Sequence, residues 1–325
     1  MDIIKTDTHI DFMAQRNRAL ILSAIILAIG IGSLFARGIN FGLDFTGGTL
    51  IEVSYPSAPD LGEVRDNLAA AGYDDFTVQT FGSATDIVVR MPADQGEDAG
   101  ADLSTLVLEA LSETTPGIDL RRVEFVGPQV GQELAEQGGL ALLYTIIGVL
   151  LYISFRFQWR FAVGAVAALI HDVVLVVSFL SIFQINFDLT VVAAILAVIG
   201  YSLNDTIVVY DRLRENFRVK RKGTPTELCN LSVNQMLSRT IMTSLTTLLV
   251  LVALFYFGGE IIHAFAYTLI VGVVVGTYSS IYIASSAAIL LGVSKQDLMP
   301  VEKEGAGQPD QETEVLPERF RRGGA

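Results

Sequence analysis

Six stretches of this chain are almost free of charge, at 19–36, 139–155, 161–183, 189–210, 241–257 and 264–293. At 1.5 Å per helical residue, each is long enough to cross a hydrocarbon layer of about 30 Å. Apolar residues make up 51% of the chain and charged residues 18%, with the charges crowded between these stretches. The sequence therefore reads as an α-helical polytopic membrane protein with six transmembrane helices. The first stretch exceeds a usual leader core, and "LFARG" near its end offers no small-x-small pair for a peptidase, so it reads as a retained anchor.

Basic residues orient the spans. Lys5, Arg16 and Arg18 precede the first, Arg156 and Arg160 occupy the second connection of the bundle, and Arg212, Arg214, Arg218, Lys220, Arg221 and Lys222 follow the fourth span. The connections "QINF" and "GGEII" carry none. The positive-inside rule then places both termini, 1–18 and 294–325, in the cytoplasm, the tail reading as disordered.

The large loop at 37–138 falls on the periplasmic side. It holds eighteen Asp and Glu against five Arg and no Lys, a balance of −13 that equals the formal charge of the whole chain. Such acidity argues against a nucleic-acid or anionic-lipid surface there and suits a soluble exported domain. "GGTLIEVSY", "FTVQTFG", "TDIVVRMP" and "IDLRRVEFVG" read as strands, and "DLGEVRDNLAAAG" and "DLSTLVLEALSE" as helices. The order β-α-β-β-α-β predicts an inserted α+β ferredoxin-like domain, with acidic "ADQGEDAGAD" as a mobile connection. Cys229 is the only cysteine, so no disulfide is available within the chain.

"FGLDFTGGT" at 41–49 is glycine-rich but lacks the lysine and the following helix of a phosphate cradle. Gly47 and Gly48 read instead as a tight turn or a close backbone approach. No serine sits in a recognisable nucleophile setting, and the three histidines are isolated, so neither hydrolysis nor a metal site is indicated. The reading is of a protein that is not an enzyme and takes no cofactor.

Polar residues inside the spans carry the functional argument, because a charge in hydrocarbon must be paired or protonated. Asp205, beside Asn204, lies about 16 residues, or roughly 24 Å, from the far start of the fourth span. Arg239 heads the fifth and reaches a similar depth. They read either as a static pair, with Arg239 a snorkelling anchor, or as an ion-responsive couple. His171 and Asp172 sit near the middle of the third span, as a proton carrier and its partner or as packing groups. Thr240, Thr243, Ser244, Thr246 and Thr247 crowd the fifth span, and Thr277, Ser279, Ser280, Ser285 and Ser286 the sixth. Gly272 and Gly276 form a small-x-x-x-small pair for close packing.

"FGLDFTGGT", "GPQVGQEL" at 127–134, "GYSLNDTIVVYDRLREN" at 200–216 and "RTIMTSLTT" at 239–247, in that order and spacing, resemble the SecF subunits of the bacterial SecD/SecF protein-export complex. The resemblance runs over about residues 10–292. It implies a six-span protein of the resistance-nodulation-division superfamily in the inner membrane. Such a protein works with SecD beside the SecYEG channel, and in some systems YidC, and uses the proton gradient to assist preprotein export. The family's functional charges fall on Asp205 and Arg239, and its structural motifs on Gly42, Asp44, Gly47 and Gly48 and on Gly127 and Pro128. The implied partners are SecD, SecYEG, preproteins and membrane lipid, with no nucleic acid. An exporter of lipids or small molecules from the same superfamily, or a passive assembly scaffold, are the other readings.

One expectation follows directly from the charge pattern. A single cysteine placed at Ser83 should react with a membrane-impermeant maleimide from the periplasmic face; reaction only from the cytoplasmic face would invert the assigned topology.

Overall fold

The computed structural model describes residues 8–73, 75–92, 99–220 and 223–293; most of the acidic connection and the tail after 293 lie outside them. Among these residues, six helices are long and apolar enough to span a membrane. They are α1 (Arg16–Arg37), preceded by a 3-10 turn at Met13–Gln15, then α5 (Pro128–Arg156), α6 (Trp159–Phe183), α7 (Leu189–Val219) and α8 (Pro225–Phe257). The last span is α9 (Glu260–Ser279) continued through a π-helical turn, Ser280–Ala284, into α10 (Ser285–Leu290). Helices α6 and α7 are the most buried of the six and form the centre of the bundle.

Three helices are longer than their apolar stretches foretell. Residues 128–138, placed by sequence in the periplasmic domain, are the first turns of α5, with Pro128 at its start and Gly127 as its cap. Likewise α7 continues past 210 to Val219, and α8 begins at Pro225 rather than near 241. Loss of apolarity marks where a helix enters water, whereas its end is set by capping. Thr224 and Glu227 close a reciprocal capping box on α8, so that helix starts well before its apolar part.

Between α1 and α5 stands the α+β domain. A short helix α2 (Leu43–Thr46) leads into β1 (Gly48–Ser54), α3 (Leu61–Ala70), β2 (Thr77–Phe81), β3 (Ser83–Met91), α4 (Ala99–Thr114) and β4 (Asp119–Val126). The four strands are antiparallel in the order β2-β3-β1-β4, the ferredoxin-like arrangement expected from sequence. Period-2 alternation divides the sheet: Ile51, Val53, Ile87 and Val89 face α3 and α4, where Val64, Leu68, Val107 and Leu111 complete a dry core. The other face, with Leu50 and Val88 against Leu43, turns toward the bundle. There Glu52 accepts from Arg122 Nε at 3.1 Å across the β1–β4 pair.

The domain is joined to the bundle by a clasp built from residues 37–47. Arg37 Nη1 donates to the Ile182 carbonyl at 2.8 Å, and Asn40 Nδ2 to Gln184 O and Asn186 Oδ1, each at 2.9 Å. Gly42 N–H donates to Phe187 O at 2.7 Å and Phe187 N–H to Asn40 O at 2.8 Å, a parallel bridge between the two connections. Asp44 Oδ2 accepts from the Leu189 amide at 2.9 Å while Asp188 caps the same helix through the Val191 amide at 2.9 Å. Two carboxylates thus satisfy amides that have no partner within the helix at the start of α7, where the helix dipole favours negative charge.

Gly47 and Gly48 are the turn from this clasp into β1, with φ of 66° and 119°. A Cβ on Gly47 would meet Pro128 Cα and Val126 O at 3.2 Å, and one on Gly48 would overlap the Met91 carbonyl. The pair lets β1, β3 and the start of α5 converge on one point. Gly72 also has positive φ, at 92°, but its missing Cβ would meet nothing within 4 Å. Gly48→Ala should therefore loosen the domain by about 1–3 kcal/mol and by more than Gly72→Ala, read as hydrogen exchange of the sheet amides in the full chain. Equal effects at the two positions would show that the approach to Met91 is unimportant.

Candidate functional site

The centre of the bundle holds two polar clusters, both reaching α7. Asp172 on α6 is fully buried, and His171 is 6% exposed. His171 Nδ1 lies 2.8 Å from Asp172 Oδ1, and Ser202 Oγ on α7 donates to Asp172 Oδ2. Both carboxylate oxygens are thereby engaged, as burial in hydrocarbon demands. The His171 ring lies beside Tyr278 of α9, with centroids 6.4 Å apart, and its Nε2 is buried without a hydrogen-bond partner. Tyr278 donates to Ala19 O at 2.7 Å, leaving its oxygen to accept from Ser23 at 3.0 Å. One cluster so ties α1, α6, α7 and α9.

Ser202 also lies where α7 and α9 touch. A Cβ on Gly272 would overlap Val198, and one on Gly276 would stand 3.0 Å from Ser202 Cβ. The small-residue pair read from sequence is the seam at which these two helices meet.

The second cluster starts at Asp205, one turn beyond Ser202. Asp205 is 4% exposed, and its Oδ2 is buried without a hydrogen-bond partner. Tyr201, one turn earlier on the same face, donates to Ser244 Oγ at 3.2 Å. Ser244 and Thr277 are 2.7 Å apart, and Thr277 donates to Val273 O at 2.7 Å. Because Thr277 spends its proton on that carbonyl, Ser244 must donate to Thr277. The hydroxyls form a directed chain from α7 through α8 to α9.

Asn204 and Arg239, the neighbours that sequence reading grouped with Asp205, are both exposed on the bundle's flank. Among the described residues Arg239 forms no ion pair with Asp205, so the structure brings the two helices together without closing the pair. Of the other hydroxyls read from sequence, Thr243, Thr246 and Thr247 donate back to carbonyls of their own helix. Ser202, Tyr201 and Tyr278 escaped sequence reading; a hydroxyl three residues before an intramembrane aspartate was the available signal.

The π-helical turn in the last span adds a structural group. Tyr210 is fully buried and donates to the Ala284 carbonyl at 2.7 Å, and Ser285 Oγ donates to Ser280 O at 3.2 Å. Both side chains thus donate to carbonyls of the π turn. Gly164 makes room, since a Cβ there would overlap the Tyr210 hydroxyl.

Outside the membrane, a cavity of about 230 Å³ lies between the bundle-facing side of the sheet and the start of α7, lined among others by Asp44, Arg90, Arg122 and Asp188. Burial lowers the pKa of Arg90 from the usual arginine range, and the charge of Asp188 opposes that shift.

Comparison with known proteins covers nearly all of this architecture. The family described as "Protein export membrane protein SecD/SecF, C-terminal" matches residues 107–294, and "SecD/SecF GG Motif" matches residues 32–55, which include the clasp. The chain is 54% identical over 293 residues to "Protein translocase subunit SecF" of Pseudomonas aeruginosa, covering 90% of this chain and 94% of that one. It is 51% identical over 308 residues to the protein of the same name in Vibrio alginolyticus, covering 94% and 97%. Its fold matches the crystal structure of SecDF, a translocon-associated membrane protein from Thermus thermophilus, with a TM-score of 0.80 and 35% identity. That match covers 89% of this chain and 39% of the longer SecDF chain.

The Asp172 cluster makes a stability prediction. Ser202→Ala leaves one buried carboxylate oxygen without its donor and should cost about 1–3 kcal/mol. Thr243→Ala, at an exposed hydroxyl, should stay within about 0.5 kcal/mol. Thermal unfolding of the full chain in detergent compares them, and equal midpoints would mean that Ser202 does not hold Asp172.

Proposed function

The chain belongs to the SecF family of protein translocase subunits, and from that premise we propose that it couples an ion gradient to protein export through Asp205. The observation that carries the reading is the buried, unpartnered Oδ2 of Asp205, one turn along α7 from the tyrosine that starts a directed hydroxyl chain. A carboxylate so placed changes its contacts when it gains or loses a proton. A proton crossing about 100 mV releases roughly 2.3 kcal/mol, sufficient to bias a two-state element about fiftyfold.

In this mechanism protonated Asp205 is neutral and tolerates its dry setting, while the ionised form draws in Arg239 from the flank. That exchange alters the packing of α7 against α8 and α9. The start of α7 is tied to the domain through Asp44, and the connection just before it through Asn40, so a shift of that helix reaches the sheet. Motion of the domain would then assist a preprotein emerging from the channel. No cofactor enters this scheme, and the chain's part is mechanical rather than enzymatic.

The partner that best fits the flank bearing Asn204 and Arg239 is SecD, because an arginine facing lipid at that depth would be costly without a neighbouring protein surface. The assembly would sit beside SecYEG, with YidC in some systems, in the bacterial inner membrane. Its domain would be periplasmic and both termini cytoplasmic, as the basic loops require. A lipid exporter would need a lipid-sized cavity inside the bundle, and a passive scaffold would need no titrating group.

Export into inverted membrane vesicles, with the gradient intact or collapsed, separates these readings. Asp205→Asn should reduce gradient-stimulated export to the level seen with a collapsed gradient while the complex with SecD still forms. Arg239→Lys should keep part of the stimulation, since the charge survives and the guanidinium fork does not. Normal stimulated export by Asp205→Asn would eliminate ion coupling at this site.

A further inference from the structure

His171 is the middle residue of α6, with twelve residues of that helix, about 18 Å, on either side. A charge at this depth has no side chain long enough to carry it to the surface and must be neutralised where it sits. Among the described residues, Asp172 makes no ion pair with an arginine or lysine, and the titratable group bonded to it is His171. The neighbouring helices bring no basic side chain to the carboxylate either. On α7 the contact is the hydroxyl of Ser202, with Asp205 one turn beyond; on α9 the groups are Tyr278, beside the imidazole, and the fully buried Ser279. Helix α1 runs beside α6 in one register, with Gly30 on Ser178 and Ser33 Oγ 3.0 Å from Ser181 Oγ, which two turns earlier sets Ser23 level with His171.

Neutrality then fixes the number of protons on the pair. An ionised Asp172 beside a neutral imidazole would leave a net negative charge in hydrocarbon. The dry pair therefore holds one proton more, either as carboxylate and imidazolium or as carboxylic acid and neutral imidazole. Both arrangements place a hydrogen on Nε2. In the first, both ring nitrogens are protonated; in the second, the acid donates to Nδ1 and the ring hydrogen stays on Nε2. Nε2 is thus a donor, and it is buried without an acceptor. Both oxygens of Asp172 and the other ring nitrogen are already engaged, so Nε2 is the one atom from which a proton can leave without breaking a hydrogen bond.

We propose that His171 and Asp172 form a second proton-carrying site of the bundle, with His171 Nε2 as the port through which the proton leaves and returns. Transfer of the Nε2 proton to a water molecule leaves Asp172 ionised and His171 neutral, its one ring hydrogen on Nδ1 and bonded to that carboxylate. The emptied site carries one negative charge, so release requires water to reach the seam around α6, and return of the proton lets the seam close dry. The role in export rests on the ion-coupling reading given above, whereas the proton count does not depend on Asp205.

Two measurements test this. The chain has three histidines, His9, His171 and His263, so nitrogen-15 labelling of histidine in the full chain gives spectra that single substitutions assign. Solid-state NMR in lipid bilayers near neutral pH should show His171 Nε2 bonded to hydrogen; a neutral ring with its hydrogen on Nδ1 alone overturns the proposal. The second measurement is export into inverted membrane vesicles at varied lumenal pH. His171→Asn keeps an amide that can donate to Asp172 in place of Nδ1 but carries no exchangeable charge. It should reduce the gradient-stimulated part of export and shift its dependence on lumenal pH. Undiminished stimulation, or a reduction that leaves the shape of the pH profile unaltered as for a packing histidine, overturns the proposal. Normal export by Asp205→Asn together with loss in His171→Asn would remove the reading built on Asp205 and support this one.

Discussion

A carboxylate that cannot reach water determines how this bundle is packed. Asp172 has its two oxygens engaged by His171 and Ser202, and the same Ser202 is packed from the other side by Gly276 of α9. The glycines at 272 and 276 provide that approach. A larger residue at 276 would press on Ser202, the partner of a carboxyl in an apolar medium, and one at 272 would press on Val198 one turn earlier. The close helix seam and the polar tie thus meet at Ser202, through residues more than seventy positions apart in sequence.

From that seam, order extends in two directions. Toward the domain, α7 begins under two carboxylates, one its own cap and one supplied by the short helix α2, so the α+β domain is held to the helix that carries Asp205. Toward the opposite end, α7 and α8 continue as helices well beyond their apolar parts. The segment before α1 is held there: Asn234 Nδ2 donates to Ile10 O at 2.8 Å, Asn234 Oδ1 accepts from the Ile10 amide at 2.9 Å, and Asn230 Oδ1 accepts from the Met13 amide at 2.9 Å. One long helix thus links domain, membrane core and basic end.

How much of this was legible depends on the physics of each element. Exclusion of charge from hydrocarbon is a local rule, so the six spans could be read directly, and the alternation of residues 48–54 and 83–91 gave the strands of a ferredoxin-like sheet. Helix ends were misplaced at 128, 219 and 225 because polarity reports water, not loss of helix. Asp205, Arg239, His171 and Asp172 stood out through the cost of burying them. Ser202 did not, since a serine in a helix is unremarkable until the fold sets it against an aspartate thirty residues away. The same holds for Asp44, whose part in capping α7 is a tertiary fact hidden within a glycine-rich turn.

The π-helical turn at Ser280–Ala284 has a consequence for the surface of the last span. A wide turn accommodates one residue more than an α-helical turn, so everything beyond it is rotated by about 100° relative to an uninterrupted helix. Before the turn this span offers Gly272 and Gly276 to α7; after it, α10 rests on α6 and presents fully buried Ser285 and Ala288 to the interior. A single extra residue thus works as a change of phase, allowing one continuous span to turn different faces to α7 and α6 along its length.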